Sequence, residues 1–308
     1  MKIIFMGTPE FSVKILAPLI NEKDFDIELV VTKKDGTNKR GKIVESPVAL
    51  LAHKYNLNVL KLESFKEEKE KIENLKPDLI VTAAYGKILP EYILSIPKYG
   101  CINVHASLLP KYRGSNPICE AIRNGDKKTG VTIMYMDKGM DTGDIIEKKE
   151  IEIEESDNLT TLTNKLSILG SSMICDVIRK IEAGTNKRAK QDNSLATYTK
   201  MITKEDEHLD FDDTSKNIFN KVRSLADDPA SYVMFNDNQI KIYSGYILKE
   251  NASCMPGTIV KLLKNGIAVK TKDFLYVITK LKPSGKKEMD ARSYINGLKE
   301  NIIGESYE

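Results

Sequence analysis

The chain has 308 residues, long for one hydrophobic core and comfortable for two domains. With 41% hydrophobic and 30% charged residues it has the composition of a folded globular protein, which excludes an intrinsically disordered chain, and no run nears the roughly 20 apolar residues that span a bilayer. Its 47 basic and 44 acidic side chains leave a formal charge of +3, which excludes a generally polybasic or polyacidic protein; attraction for a charged partner has to be local.

Met1 runs directly into a strand-like segment, Lys2 to Met6, with no charged head, apolar stretch and small-residue cleavage site in order. The four cysteines, Cys101, Cys119, Cys175 and Cys254, are scattered without metal-ligand spacing. A cytoplasmic protein with free thiols and no metal is expected.

In chain order, the Lys2 to Met6 strand ends at Gly7-Thr8-Pro9 and a periodic segment, Glu10 to Ile20, predicts a helix. Ile27 to Val31 predicts a second buried strand, and Pro47 to Tyr55 a helix with Ser46 as N-cap. Val59 to Leu62, Ser64 to Leu75 and Asp78 to Ala83 continue as strand, charged helix and strand. The alternation predicts an open, doubly wound α/β sheet, whose ligands lie outside the carboxyl ends of the strands.

After Gly100 the order changes: Cys101 to Val104 predicts a strand, Pro117 to Arg123 a helix, Gly130 to Met136 and Asp144 to Ile153 two strands, and Asn158 to Glu182 one long helix. Asn186 to Lys200 is polar and poorly periodic, the pattern of a surface linker. From Thr203 on, short β-type runs (Ser231 to Phe235, Gln239 to Ser244, Gly257 to Leu263, Gly266 to Lys270, Phe274 to Leu281) suggest a small barrel. The expected division is a first domain over 1–185, a linker over 186–203 and a β-barrel domain over 204–308.

The densest chemistry lies in Cys101-Ile-Asn-Val-His-Ala-Ser-Leu-Leu-Pro-Lys-Tyr-Arg-Gly114. A strand puts Asn103 and His105 on one face, at a carboxyl end, followed by a turn that offers backbone groups and apolar side chains as a pocket wall. An amide donor beside an imidazole suits a developing oxyanion. The loop Met136-Asp-Lys-Gly-Met-Asp-Thr-Gly-Asp144 offers Asp137, Asp141 and Asp144 as equal candidates for a general base or a histidine partner. Taken singly, each feature has a plainer reading, since a histidine near a strand end is often a half-buried polar residue and an Asp-Gly loop often only a turn.

Two basic clusters stand out. Lys33, Lys34, Lys39, Arg40 and Lys42 face only Asp35 within Lys33 to Lys42, and nine basic residues between Thr258 and Arg292 face Asp273, Glu288 and Asp290. A barrel with such a strip can follow a phosphate backbone.

The Asn-x-His pair with its Ser-Leu-Leu-Pro turn and the later aspartate loop resembles the folate-dependent formyltransferase family. The likeness extends over the whole chain, through Phe5-Met-Gly-Thr-Pro-Glu-Phe-Ser12, Arg40-Gly-Lys42 before Ser46-Pro-Val48, Ala84-Tyr-Gly-Lys-Ile-Leu-Pro90, Gly130-Val-Thr-Ile-Met134, Ala196-Thr-Tyr198, Ile202-Thr-Lys-Glu-Asp206 and Lys282-Pro-Ser-Gly-Lys-Lys287. This resemblance implies a Rossmann-like first domain, an OB-like barrel, and Asn103, His105 and Asp141 as the catalytic set; the choice of Asp141 comes from it alone. It implies 10-formyltetrahydrofolate as formyl donor, held by the turn Ser107, Leu108, Leu109 and Pro110, the turn containing Tyr85, Gly86, Ile88 and Leu89, and the aspartate loop.

The full-length character of the likeness implies a methionyl initiator tRNA as amine acceptor and a monomer as the working form. Lys39, Arg40 and Lys42 in the loop and Lys286 and Lys287 in the barrel are the basic residues expected to meet the tRNA. The chain departs from the usual pattern at Lys33-Lys-Asp35, Ser115-Asn116 and Ala226-Asp-Asp-Pro229. A sugar-nucleotide N-formyltransferase would share the catalytic trio and lack the Arg40 loop; a purely RNA-binding protein has no use for the trio. A dinucleotide enzyme is disfavoured, because Gly7-Thr-Pro-Glu10 does not make the G-x-G-x-x-G turn.

Overall fold

Short apolar runs joined by tight turns place a strand, a turn and a helix at the start of the chain: β1 (Lys2–Gly7) passes through Thr8-Pro9 into α1 (Glu10–Asn21). β2 (Asp26–Thr32) leads to a small antiparallel hairpin, β3 (Gly36–Thr37) with β4 (Ile43–Val44). Helix α2 (Pro47–Lys54) begins where expected, because Ser46 Oγ accepts the Ala49 amide at 3.1 Å and Pro47 occupies the first helical position. β5 (Val59–Lys61), α3 (Phe65–Asn74), β6 (Leu79–Ala83), α4 (Glu91–Leu94) and β7 (Cys101–His105) keep the alternation. Then follow β8 (Arg113–Gly114), α5 (Pro117–Arg123), β9 (Lys128–Tyr135), β10 (Ile145–Glu152) and α6 (Leu159–Glu182).

This structure, a computed structural model, describes residues 1–37 and 41–308. Contacts group them into two units, one of Met1–Pro117, Lys128–Glu152 and Thr163–Lys200, the other of Ile118–Lys127, Ile153–Leu162 and Met201–Glu308. The first unit carries a sheet in the order β10-β9-β7-β6-β1-β2-β5, parallel from β5 to β7 and antiparallel at β9 and β10. From β1 the chain winds one way through β2 to β5, then restarts at β6 and winds the other way. The switch point therefore lies between β1 and β6, and in sheets of this kind ligands bind at the carboxyl ends of the strands there. The doubly wound sheet expected from the alternation is present, with an antiparallel edge pair added.

Every residue of β6 is buried, as a strand covered on both faces requires. One face carries Ile4, Met6, Val31 and Ile80 under Phe65 and Ile72 of α3 and Ile93 of α4. On the other, α6 comes so close at Gly170 that a Cβ there would lie 2.8 Å from Ile15, 3.1 Å from Val104 and 3.6 Å from Val131. Residues 186–200, expected as a surface linker, group with this unit: β11 (Tyr198–Thr199) pairs in parallel with β8.

In the second unit α7 (Lys204–Glu207) and α8 (Ser215–Ser224) precede β12 (Ser231–Phe235), β13 (Asn238–Leu248), β14 (Ile259–Leu263), β15 (Gly266–Lys270), β16 (Leu275–Pro283), β17 (Met289–Asp290) and α9 (Ala291–Asn296). The sheet is antiparallel, in the order β12-β13-β16-β15-β14, with β17 on β16. The two outer strands are joined through the tail: Glu308 exchanges both backbone hydrogen bonds with Met234 of β12, and Ile259 of β14 donates to Glu305 O at 2.8 Å. This closure turns the short β runs into the small barrel expected. Helices α7, α8 and α9 and strand β17 are elements the β-type pattern did not indicate, and α8 buries Ile218 and Val222 against the barrel core. Arg223 of α8 donates to the Glu154 and Asp157 carbonyls, which ties residues 153–162 into this unit.

Two predictions concern this unit. Tyr307 is 5% exposed within the barrel core and its hydroxyl has no hydrogen-bond partner among the described residues. Denaturant unfolding should show Tyr307→Ala losing about 3–5 kcal/mol, and Tyr307→Phe losing nothing, since the buried hydroxyl makes no bond to forfeit; a large loss in the Phe variant would overturn this packing. The Asp273 carboxyl titrates at about 2: partial burial pushes it up, but is outweighed by hydrogen bonds from the Ser215 and Phe274 amides and the Thr271 hydroxyl. A folded value below the unfolded one, about 3.9, gives stability that is present above that pH and lost as pH falls towards 2. Asp273→Asn should flatten the acid limb of the stability curve between about pH 4 and 2, and an unchanged limb would refute it.

Candidate active site

Strand β7 carries Asn103 and His105 on one face, two residues apart, and register pairs Asn103 with Thr82 of β6. The Thr82 hydroxyl is therefore beside the Asn103 amide and donates to its Oδ1 at 2.8 Å. With the oxygen so engaged, the two N–H groups of Asn103 turn the other way, and Nδ2 lies 3.4 Å from Asp141 Oδ1. His105 is 6% exposed; its Nε2 lies 2.9 Å from the Tyr112 carbonyl, which only accepts, so the ring presents an N–H there. Nδ1 faces Asp141 Oδ2 at 3.6 Å, an electrostatic separation rather than a hydrogen bond.

Of the three aspartates in the 136–144 loop, only Asp141 reaches this face. Asp137 is occupied with its own turn, accepting from the Gly139 amide and, at 2.6 Å, the Thr142 hydroxyl, while Asp144 pairs with Arg188. Asp141 sits at φ +53°, a left-handed conformation that costs a non-glycine residue about 1–3 kcal/mol. Its Oδ2 accepts the Gly114 amide at 2.8 Å.

Segment 112–116 thus serves both partners, Tyr112 O at the imidazole and Gly114 N at the carboxylate. It is held in turn by the strap of residues 191–200. Tyr112 N donates to Thr197 Oγ1 at 2.8 Å, Arg113 N to Thr197 O at 2.8 Å and Asn116 N to Thr199 Oγ1 at 3.1 Å. Gly114 has φ +110°, and a Cβ on it would stand 2.6 Å from Thr199 O, so glycine is required here. Arg113, 1% exposed, bonds Gln191, Asn193 and the Tyr198 hydroxyl. Sequence patterning missed Thr82, which only strand register exposes, and Gln191 and Thr197, which lie in a stretch with linker composition.

The residues expected to line a donor pocket are differently placed. Ile88 is 78% exposed, Gly86 is exposed and Leu108 and Pro110 are half-buried, whereas the side chains of Tyr85, Leu89, Ser107 and Leu109 are buried. Those four would meet a ligand through their backbone. Thr132 Oγ1 fixes the second turn, donating to Ser107 O at 2.7 Å and accepting from Leu109 N at 3.1 Å. Lys33, at one of the departures, sets its amine against Gly86, 2.5 Å from where a Cβ would stand.

Lys39 and Arg40 lie outside the described residues. The segment around them is joined at its base, where Lys61 Nζ donates to Asp35 Oδ2 at 2.7 Å and Glu45 Oε1 at 2.6 Å. The hydrogen bond from Lys61 holds Glu45 below the usual carboxylate range, and those to Asp35 and Glu45 raise Lys61. Lys42, Lys286 and Lys287 are exposed. The barrel's basic strip is partly engaged: Lys261 pairs with Glu250, Lys280 with Glu288, and Lys270 is buried. Burial pushes the thiol of Cys101 up to about 12 and that of Cys175 to about 11, so neither is a thiolate near neutral pH.

Among the described residues no group of three or more His, Cys, Asp or Glu is placed to hold a metal ion, and no helix is long and apolar enough to cross a membrane.

Residues 1–178 match the formyl transferase family and residues 201–299 the formyl transferase C-terminal domain. Methionyl-tRNA formyltransferase of Macrococcus caseolyticus is 42% identical over 98% of this chain and 97% of its own length, and that of Staphylococcus aureus 43% identical over 98% of each. Among solved structures, a Helicobacter canadensis N-formyltransferase in complex with folinic acid and dTDP-3-aminofucose superposes with a TM-score of 0.69 at 20% identity, covering 94% of this chain and 100% of the other. HypX from Aquifex aeolicus in complex with tetrahydrofolic acid gives 0.65 at 17% identity, covering 96% of this chain and 47% of the other. At such identities these structures share the fold with this chain. With both of its domains matched and relatives above 40% identity along nearly all of its length, the chain belongs to the formyl transferase family.

Proposed function

We propose that this chain transfers the formyl group of 10-formyltetrahydrofolate to the free amino group of methionyl initiator tRNA, in the cytoplasm, with Asn103, His105 and Asp141 as its catalytic residues. The observation that carries the chemistry is the convergence of Asn103 Nδ2 and His105 Nδ1 on the two oxygens of one carboxylate, at 3.4 and 3.6 Å. The tRNA acceptor rests on near-full-length identity to enzymes named for it.

The donor supplies an already activated formyl group, so the protein has to align an amine with it and support a tetrahedral oxyanion. The side chains present fit that task. Thr82 holds the Asn103 oxygen away from the reaction, one amide N–H faces Asp141, and the second is left to donate to the oxyanion. Asp141, anchored by the Gly114 amide, sets its carboxylate 3.6 Å from Nδ1 of His105 and so orients the ring. The ring donates towards the oxyanion; as the amine's new bond to the formyl carbon forms and the bond from that carbon to N10 breaks, Asp141 takes the amine's proton and passes it on to N10 of the departing tetrahydrofolate. The long spacings leave room to tighten around a reacting group, as catalytic contacts commonly do.

Asn103→Ala and His105→Ala should each lower the chemical step about a hundredfold or more, measured by single-turnover formylation; full activity in either would end the assignment. Asp141→Asn should fold normally and transfer slowly, with an altered pH–rate profile. The acceptor is tested by offering 10-formyltetrahydrofolate with methionyl-tRNA beside a set of amino sugars: the tRNA should gain the formyl group, Arg40→Ala should formylate it poorly, and added salt should depress the reaction steeply. Formylation of a sugar alone would favour the sugar-nucleotide reading.

A further inference from the structure

Gln191 bonds both the buried Arg113 and the backbone of the aspartate loop. Its Oε1 accepts from Arg113 Nε at 3.2 Å and Nη2 at 2.9 Å, and its Nε2 donates to Asp141 O and Gly143 O, each at 2.8 Å. The partners fix the amide's orientation, because a guanidinium only donates and carbonyls only accept. Asp141 lies in a left-handed conformation between strands β9 and β10 in the chain, with its own carbonyl on Gln191 and its carboxylate on the Gly114 amide. We propose that Gln191 is a positioning residue for the reaction: by clamping the Asp141 and Gly143 carbonyls to Arg113, it sets the place of the Asp141 carboxylate opposite Asn103 and His105.

This role rests on the function proposed above. A neutral amide is required, because one end must accept from a cation while the other donates to two carbonyls. A carboxylate of the same length keeps the first arm and turns the second repulsive. Release of those carbonyls frees the turn at Asp141, and misplacement of a catalytic group by about 1 Å costs about a hundredfold in rate. Gln191 bonds Arg113 and two loop carbonyls and acts on the reaction through them.

Gln191→Glu separates positioning from a general structural part. It should lower kcat between about ten- and a hundredfold, leave KM for methionyl-tRNA within about twofold, and leave Tm unchanged or raised, since Arg113 gains a charged partner. In an Asp141→Asn background the same change should cost less than about threefold, because residues acting through one group are non-additive. Gln191→Met, of similar volume and uncharged, should repeat the kcat loss and the non-additivity, and serves if the Glu variant folds poorly. A loss confined to KM, full additivity with Asp141→Asn, or unchanged kcat overturns the proposal. If the wild-type protein forms no formylmethionyl-tRNA, the functional reading fails instead, and crystals of Gln191→Glu decide the positioning: an Asp141 carboxylate that has not moved overturns it.

Discussion

A carboxylate between an amide and an imidazole attracts both, and it is useful only if it stays charged and in place. Asp141 comes to that position from a loop between β9 and β10, at a left-handed φ. What holds it is a second layer of backbone. The Gly114 amide bonds its side chain, the same short segment offers Tyr112 O to His105, and residues 191–200 support that segment along its length. The glycine at 114, the buried arginine at 113 and the polar strap all follow from the need to keep one loop aspartate still.

The sheet contributes in a different way. Asn103 and His105 need no clamp, because the pleat fixes their common face, and register with β6 supplies Thr82 to orient the amide. Rigid elements thus carry the groups whose direction is inherent in a strand, and loops carry the group that has to come in from outside the sheet. Placement beside the switch point of the doubly wound sheet leaves the region above both open to ligands.

This division also decides what was legible in the sequence. Alternation revealed the parallel strands, and a spacing of two revealed Asn103 and His105 as a pair. Asp137, Asp141 and Asp144 were indistinguishable, because a loop has no periodicity from which direction can be read; resemblance chose one, and it is the one whose carboxylate reaches the pair. Gln191 and Thr197 stayed hidden because their polar stretch resembles a linker, although polar side chains are what a backbone of exposed amides and carbonyls binds. Helix α8 was obscured by a short amphipathic run among β signals, and Thr82 by a pairing that only the folded sheet displays.

The bridge from Lys61 to Asp35 and Glu45 has a consequence for how the chain can vary. With both ends of a segment fixed by a shared ammonium, the cost of closing it is met at the base and grows only logarithmically with its length, about 0.6 kcal/mol for each doubling. A change of length between Asp35 and Glu45 therefore costs the sheet little, and the limit on variation there is set by function rather than by folding.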